Sequence, residues 1–351
     1  MSVKKNAVRL FAVMSLALAA SAASAASAAP EQRVVRWNYG TSGNVLVTIA
    51  ENKGYFKDEG LTIEPVLANA NADAMTLLAT GKVDVVSNSG TAAPLQQIAA
   101  GIDLTIFGGH MVTGCMPVIA RAGAEWNGVQ SLIGKKFACN PSYFAFTGAV
   151  MDLGYKDPLK AVNWVTYSGY NEALAAVVRG EVDYALMGTG QNFNVKKMND
   201  VKIVTYQSEV MPNYSCCRME AQTEYVKKNP ETIKAVLRAL LRAQSYYESH
   251  RDEAVAMLAK KIGASDEYVA AYMLDTAHYV VNADPLSKSV VRAWGILDKT
   301  GFLSENARNI KIEDHIDTEL YRQALADVRA AHGSEDPAFY ERQRAFFEEN
   351  N

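Results

Sequence analysis

Leu77–Gly90, LLATGKVDVVSNSG, and Val177–Gly190, VVRGEVDYALMGTG, read as one pattern written twice. Each closes a helix, stops at a Gly, runs through a Val-Asp strand and ends in a small polar loop of Gly with Ser or Thr. Gly81 and Gly180 are 99 residues apart, too far for a solenoid repeat and right for two similar lobes. Two α/β lobes whose buried strands each end in a backbone-rich polar loop imply a cleft that holds a small molecule.

Outward from these stretches, strand and helix patterns alternate. Val34–Tyr39 alternates like a strand, and Val45, Leu46, Ile49 and Ala50 form a helical stripe that ends at Gly54. Strands are expected at Thr62–Leu67, Val83–Ser87 and Leu104–Phe107, with helices at about Asp73–Thr80 and Thr91–Ala100. The pattern restarts after Gly108-Gly109. Strands follow at Met116–Ala120, Lys136–Cys139, Val162–Tyr167 and Val182–Met187, with helices Phe144–Leu153 and Asn171–Val178 between them. Such alternation marks an α/β fold with parallel sheets covered by helices. Beyond Met219 the character changes: Pro230 opens a helix to about Ser249, and nearly everything to Ala331 reads as helical. Residues 333–351, charged but carrying Phe339, Tyr340, Phe346 and Phe347, read either as one more amphipathic helix or as partly disordered.

The first 28 residues are expected to be a signal peptide. Lys4, Lys5 and Arg9 precede the short apolar run Leu10–Ala20, and Ala-Ser-Ala triplets follow. Removing residues 1–28 turns 35 basic side chains into 32 against 38 acidic ones, a net charge of −6 over 323 residues. That mild acidity excludes nucleic acid as partner, since its backbone calls for basic stripes. The expected address is the periplasm, and the working unit is expected to be a monomer. Four Cys in so long a chain do not make a disulfide scaffold.

The chain resembles the periplasmic substrate-binding proteins of ABC importers, in the nitrate/sulfonate/taurine group that also includes binders of pyrimidine thiamine precursors. The resemblance rests on five segments in order: Ala50–Leu61 (AENKGYFKDEGL), Leu77–Val85 (LLATGKVDV), Leu132–Phe137 (LIGKKF), Glu172–Asp183 (EALAAVVRGEVD) and Tyr225–Ala243 (YVKKNPETIKAVLRALLRA). It implies a type II periplasmic-binding-protein fold, with two α/β lobes joined by two crossing segments and a helical C-terminal part. It also implies a small-molecule ligand and an inner-membrane ABC permease as partners; separately, no cofactor and no catalysis are expected. The crossings are expected near Gly109–Pro117 and Pro212–Met219. That assigns residues 31–112 plus 219–351 to one lobe and 113–218 to the other.

Ligands of open α/β sheets bind at the carboxyl ends of strands. Four loops qualify: Thr41–Asn44, Asn88–Thr91, Asn140–Thr147 and Gly188–Gln191. Each precedes a helix, whose first turn leaves about four N–H groups free for an oxyanion. The candidate ligand residues are Ser42, Asn44, Asn88, Ser89, Thr91, Ser142, Tyr143, Thr189 and Gln191. The same residue types are also the preferred helix caps, whether or not a ligand exists. None of the four loops carries Lys or Arg, so an anionic ligand would need Arg218 or His110 from the crossing regions. The expected ligand is a small polar or anionic organic molecule, a sulfonate, a taurine-like compound or a heterocyclic precursor; were Arg218 to lie outside the cleft, a neutral or zwitterionic ligand would be the better reading. Trp37, Tyr39, Tyr143, Phe144, Phe146, Tyr170 and Phe193 are candidates to stack on a planar ligand or to belong to the core. Where many relatives carry a Trp after the second Val-Asp strand, this chain has Met187-Gly188-Thr189, which leaves the substrate open.

Cys115 lies in one expected crossing and the adjacent Cys216 and Cys217 in the other. They read as a Cys115–Cys216 or Cys115–Cys217 bridge, as a strained vicinal bridge, or as buried free thiols. The rival function classes are an enzyme and a ligand sensor for a membrane receptor. Fungal pyrimidine-forming proteins share the fold and carry a Cys-rich motif, and a Cys–His hydrolase would pair His110 with a thiol. Against catalysis, the sequence has only five His, no metal-ligand spacing, no GxSxG elbow and no phosphate-binding Lys loop.

Overall fold

In the computed structural model, which describes residues 33–40, 42–68 and 71–351, the two Val-Asp aspartates make the same pair of bonds. The Asp84 N–H donates to the Arg36 carbonyl at 2.8 Å, and Asp84 Oδ2 accepts from the Arg36 N–H at 2.8 Å. Asp183 repeats this on Lys136, with both bonds at 2.9 Å. Each carboxylate extends its strand's ladder by one side-chain bond and so fixes the register of the neighbouring strand. The preceding helices also stop alike. Gly81 (φ +69°) and Gly180 (φ +76°) take the left-handed conformation, and their N–H groups return to Leu78 and Val177.

Eleven strands occupy the described residues: β1 Arg33–Asn38, β2 Leu61–Pro65, β3 Val85–Ser87, β4 Leu104–Gly114, β5 Pro117–Arg121, β6 Lys136–Ala138, β7 Asn163–Val165, β8 Tyr184–Leu186, β9 Val201–Tyr206, β10 Cys217–Gln222 and β11 Tyr279–Val281. They form two sheets, with orders β11-β4-β10-β3-β1-β2 and β7-β6-β8-β5-β9. The repeated strands β3 and β8 each lie inside one sheet. The chain passes to the second sheet between Gly114 and Pro117 and returns between Tyr206 and Cys217. This mixed α/β, two-sheet architecture is the type II periplasmic-binding-protein fold.

Only part of each sheet is parallel. β1 pairs in parallel with β2 and β3, and β6 with β7 and β8. The strands beside the crossings, β4, β5, β9 and β10, pair antiparallel. The Gly108-Gly109 break is also corrected: both residues lie inside β4, which runs on to Gly114. A Cβ on Gly109 would sit 2.2 Å from Arg218 Nη1, and one on Gly108 would sit 2.6 Å from Met219 Cε. These glycines mark a close strand approach, not a turn. β9, β10 and β11 were not expected from the sequence; β10 begins inside the expected second crossing, and β11, three residues in an otherwise helical half, pairs with the far end of β4.

The helix Pro230–Ser249 packs its apolar stripe, with Ile233, Leu237, Leu240 and Leu241 fully buried, against the helices Val45–Asn52 and Glu319–His332. The C-terminal residues form the helix Pro337–Asn350, capped by Asp336, with Phe339 and Tyr340 buried. Asn351 Nδ2 donates to Asp284 Oδ1 at 2.8 Å and ties the terminus to the core. The expected leader, residues 1–28, lies outside the described residues, as does Thr41.

Candidate functional site

Four strand-end loops, two from each sheet, meet at one hollow of about 510 Å³. Its walls hold Ser42, then Asn88, Ser89, Gly90 and Thr91; across from them lie Asn140, Ser142, Tyr143 and Phe144, with Gly188, Thr189, Gly190 and Gln191. The helices Ala92–Ala99 and Phe144–Asp152 begin at this hollow, with Ala92, Ala93 and Phe144 in its wall. Residues near the crossings, Met111, Met116, Gln207, Tyr214, Cys216 and Cys217, also line it. A second chamber of about 390 Å³ shares Ser42, Asn88, Met111, Thr189, Gly190 and Tyr268 with the first and adds His110, Tyr272 and Tyr279.

The structure sorts the candidate residues by what their polar atoms already touch. Asn88 (φ +74°) donates through Nδ2 to Ser42 Oγ at 2.9 Å and to the Gly43 carbonyl at 3.0 Å, which fixes the first loop against the second. Thr91 and Thr189 line the hollow, yet their hydroxyls donate to main-chain carbonyls of Ser215 and Gly114. The Ser142 N–H donates to Asn140 Oδ1 at 3.0 Å, and the Tyr143 and Tyr170 hydroxyls lie 3.4 Å apart. Gln191 donates to Asn171 Oδ1 at 3.2 Å, and Ser89 is buried in the wall.

Two candidates lie outside the hollow. Asn44 is a fully buried helix cap: its Oδ1 accepts from the Leu46 and Val47 N–H groups, and its Nδ2 donates to Ser87 Oγ. Arg218 is fully buried and lines neither chamber. It crosses Gly109 and donates to the carbonyls of Asp284 and Met111, so its fork binds backbone. Burial lowers its pKa to about 10, and burial raises the neighbouring Asp284 carboxyl to about 6. His110 reaches the second chamber but supplies no charge there. Burial, then the Arg218 guanidinium, pushes its pKa down to about 3. Both ring nitrogens lack a protein partner.

Of the seven aromatic candidates, Tyr143, Phe144 and Tyr170 line the hollow. Trp37 and Phe146 are core, Tyr39 is buried, and Phe193 packs edge-on against Tyr268 at 5.8 Å between centroids. Sequence reasoning missed Gln207, Tyr214 and Tyr268. Gln207 follows β9, itself unread, and is buried with its Oε1 unpartnered. Tyr268 belongs to the helix Asp266–Met273, far along the chain from the loops it meets.

Two properties define the chemistry of this cleft. Among the described residues that line its two chambers there is no Asp, Glu, Lys or Arg. It does contain thiols. All four cysteines are free, which sets aside the bridges between the crossings, and Cys216 and Cys217 face the hollow with sulfurs 3.6 Å apart. The Cys217 hydrogen bond, helped by Tyr214 and Arg218, lowers the Cys216 pKa, while Cys217 itself is pushed well up by that bond and by burial. Burial raises Cys115 to about 12 and holds Cys139 far above the usual thiol range.

A two-lobed α/β chain with strand-end loops from both sheets around one hollow has the fold of the solute-binding proteins. The chain belongs to the NMT1/THI5-like family, whose model matches residues 44–254. The periplasmic aliphatic sulphonate binding protein SsuA from Escherichia coli superposes with a TM-score of 0.67 at 20% identity, over 81% of this chain and 92% of that one. The periplasmic nitrate-binding protein NrtA from Synechocystis PCC 6803 gives 0.66 at 15% identity, over 85% and 90%. A curated relative, the 4-amino-5-hydroxymethyl-2-methylpyrimidine phosphate synthase of Schizosaccharomyces pombe, is 24% identical over 213 residues, or 55% of this chain. The match spans 59% of that relative's length.

Proposed function

We propose that this chain is an exported solute-binding protein that captures a neutral or zwitterionic small organic molecule between its two sheets. It delivers that molecule, unchanged, to an inner-membrane ABC permease from the periplasm. The observation that carries the ligand class is the lining: amides, hydroxyls, tyrosines and Met side chains, with no formally charged group among its described residues. A desolvated anion there would have only dipoles to offset its lost hydration, whereas a neutral polar molecule finds donors and acceptors at modest cost. The fold of the sulphonate- and nitrate-binding neighbours supports capture and transport as the role.

A thermal-shift panel tests this reading. A ligand that binds only the folded chain adds about 2.7 kcal/mol at a hundredfold excess over its Kd. Neutral pyrimidines, amines and amino acids are the compounds expected to raise Tm, with nitrate and alkyl sulfonates inert. A rise with the anions alone overturns the assignment. Chromatography of the stabilising compound after prolonged incubation must return it intact; a new product would make the chain an enzyme like its curated relative's name.

A further inference from the structure

Cys216 and Cys217 line the hollow, where the return crossing enters β10. Their sulfurs are in contact at 3.6 Å, and Cys217 donates its thiol hydrogen towards Cys216. Ser215 just before them holds a left-handed φ of +62°, and the β4–β10 pairing shifts register just after Cys217. The dithiol therefore straddles the end of the irregular crossing and the first residue of β10, with Tyr214 and Gln207 in the same wall. Nothing in solute capture uses two thiols in contact, one of them accessible from the cavity.

We propose that Cys216 and Cys217 form a reactive dithiol in the cleft that exchanges with low-molecular-weight disulfides, Cys216 as the attacking thiol and Cys217 as the resolving one. The Cys216 thiolate attacks one sulfur of R–S–S–R; that bond breaks, a Cys216–S–S–R bond forms, and the leaving RS⁻ takes up the proton Cys216 released. Cys217 then attacks Cys216 Sγ and expels the second RS⁻, which takes up the Cys217 proton. The protein loses two hydrogens and closes a vicinal ring, and the disulfide is reduced to two RSH. The attacking role falls to Cys216 because it is the less buried member of the pair and lines the hollow, and its thiolate is the one the neighbours favour. Adjacent Cα atoms lie about 3.8 Å apart, short of the usual span of bridged cysteines. The ring is thus strained and reopens with excess small thiol. This chemistry goes beyond solute capture and needs no cargo.

The test uses the intact chain and a chromogenic aryl disulfide. The expected result is release of two aryl thiolates per chain, a mass lower by two hydrogens, no retained adduct, and full reversal by dithiothreitol. Cys217→Ser should release one thiolate and keep the adduct, and Cys216→Ser should slow release at least about tenfold, because Cys115 and Cys139 are buried. Peptide mapping of the oxidised, unmutated chain must find the new disulfide linking Cys216 to Cys217 with Cys115 and Cys139 still free thiols, which keeps the test valid should a variant fold poorly. A label on Cys115 or Cys139, an undiminished rate in Cys216→Ser, or a persistent adduct on the unmutated chain overturns the proposal. A chain that reacts as described but answers no compound of the thermal-shift panel would separate failure of the transport reading from failure of this one.

Discussion

Thr91 and Thr189, on opposite sides of the cleft, each tie a strand-end loop to a different crossing segment. The Thr91 hydroxyl donates to the Ser215 carbonyl, and its N–H donates to Cys216 O at 3.0 Å. The Thr189 hydroxyl donates to the Gly114 carbonyl. Their place in the sequence suggested ligand contacts; their bonds make them fasteners between the binding loops and the hinge. Thr91→Val or Thr189→Val strands a buried carbonyl, so each should cost about 1–3 kcal/mol in urea denaturation. Serine at either position should recover most of that loss. Unaltered stability in both valine variants would return the hydroxyls to the ligand.

Arg218 and Gly109 form a second fastener. Gly109→Ala puts a Cβ 2.2 Å from Nη1 and 2.6 Å from the Asp284 carbonyl, so an overpacking loss of about 1–3 kcal/mol or more is expected. Arg218→Met strands the Met111 and Asp284 carbonyls, at about 1–3 kcal/mol for each. Because the guanidinium lies outside the cleft, Arg218→Met should keep the unmutated chain's preference for neutral over anionic compounds in the thermal-shift panel. Selective loss of anion binding in Arg218→Met would put the charge back in the site.

Local signals were legible and remote ones were not. The 99-residue echo located β3, β8 and their loops because a Gly helix stop acts within three residues of itself, Gly81 on Leu78 and Gly180 on Val177, and the Val-Asp strand follows it directly. The destination of Arg218 depends on a glycine 109 residues before it and a carbonyl at Asp284, and no local pattern encodes that meeting. In sequence the Gly108-Gly109 pair looks like punctuation, because glycine serves both turns and close approaches. The strand β11 is three residues long, too short for a period to show. Tyr268 and Gln207 joined the cleft through tertiary packing alone.

His110 makes stability depend on pH. Its folded pKa is lowered to about 3 against an ordinary 6.5, so the unfolded chain binds the proton first as pH falls. The stability it contributes is present above pH 6.5 and is lost at about 1.4 kcal/mol per pH unit on the way down to about 3. Arg218, Glu220 and Asp284 titrate or carry charge nearby, so the comparison is the difference between the unmutated chain and His110→Asn. That difference should slope by about this amount between pH 6 and 4 and flatten above pH 7. A difference independent of pH would mean that the imidazole is solvated in the folded chain.

Closure of the cleft should depend on Gly190. A Cβ there would lie 1.8 Å from Tyr268 Oη, and Tyr268 is held edge-on by Phe193 and Tyr272. Beside this contact Lys197 reaches Glu267 at 2.8 Å, from the second sheet's side to the C-terminal helices. The ion pair is exposed and worth at most about 1 kcal/mol, so the steric fit of Gly190 under Tyr268 decides how near the two sides approach. A ligand favours the closed form only by its differential contacts with it, and a methyl group in that seam removes part of the difference. Gly190→Ala should weaken binding of the panel's most stabilising compound by about tenfold, or 1.4 kcal/mol, and enlarge the ligand-bound radius of gyration in X-ray scattering. Tyr268→Phe in the same background, which removes the hydroxyl the methyl group meets, should restore part of both. If Gly190→Ala binds normally and compacts normally, the seam is not where the two sides close.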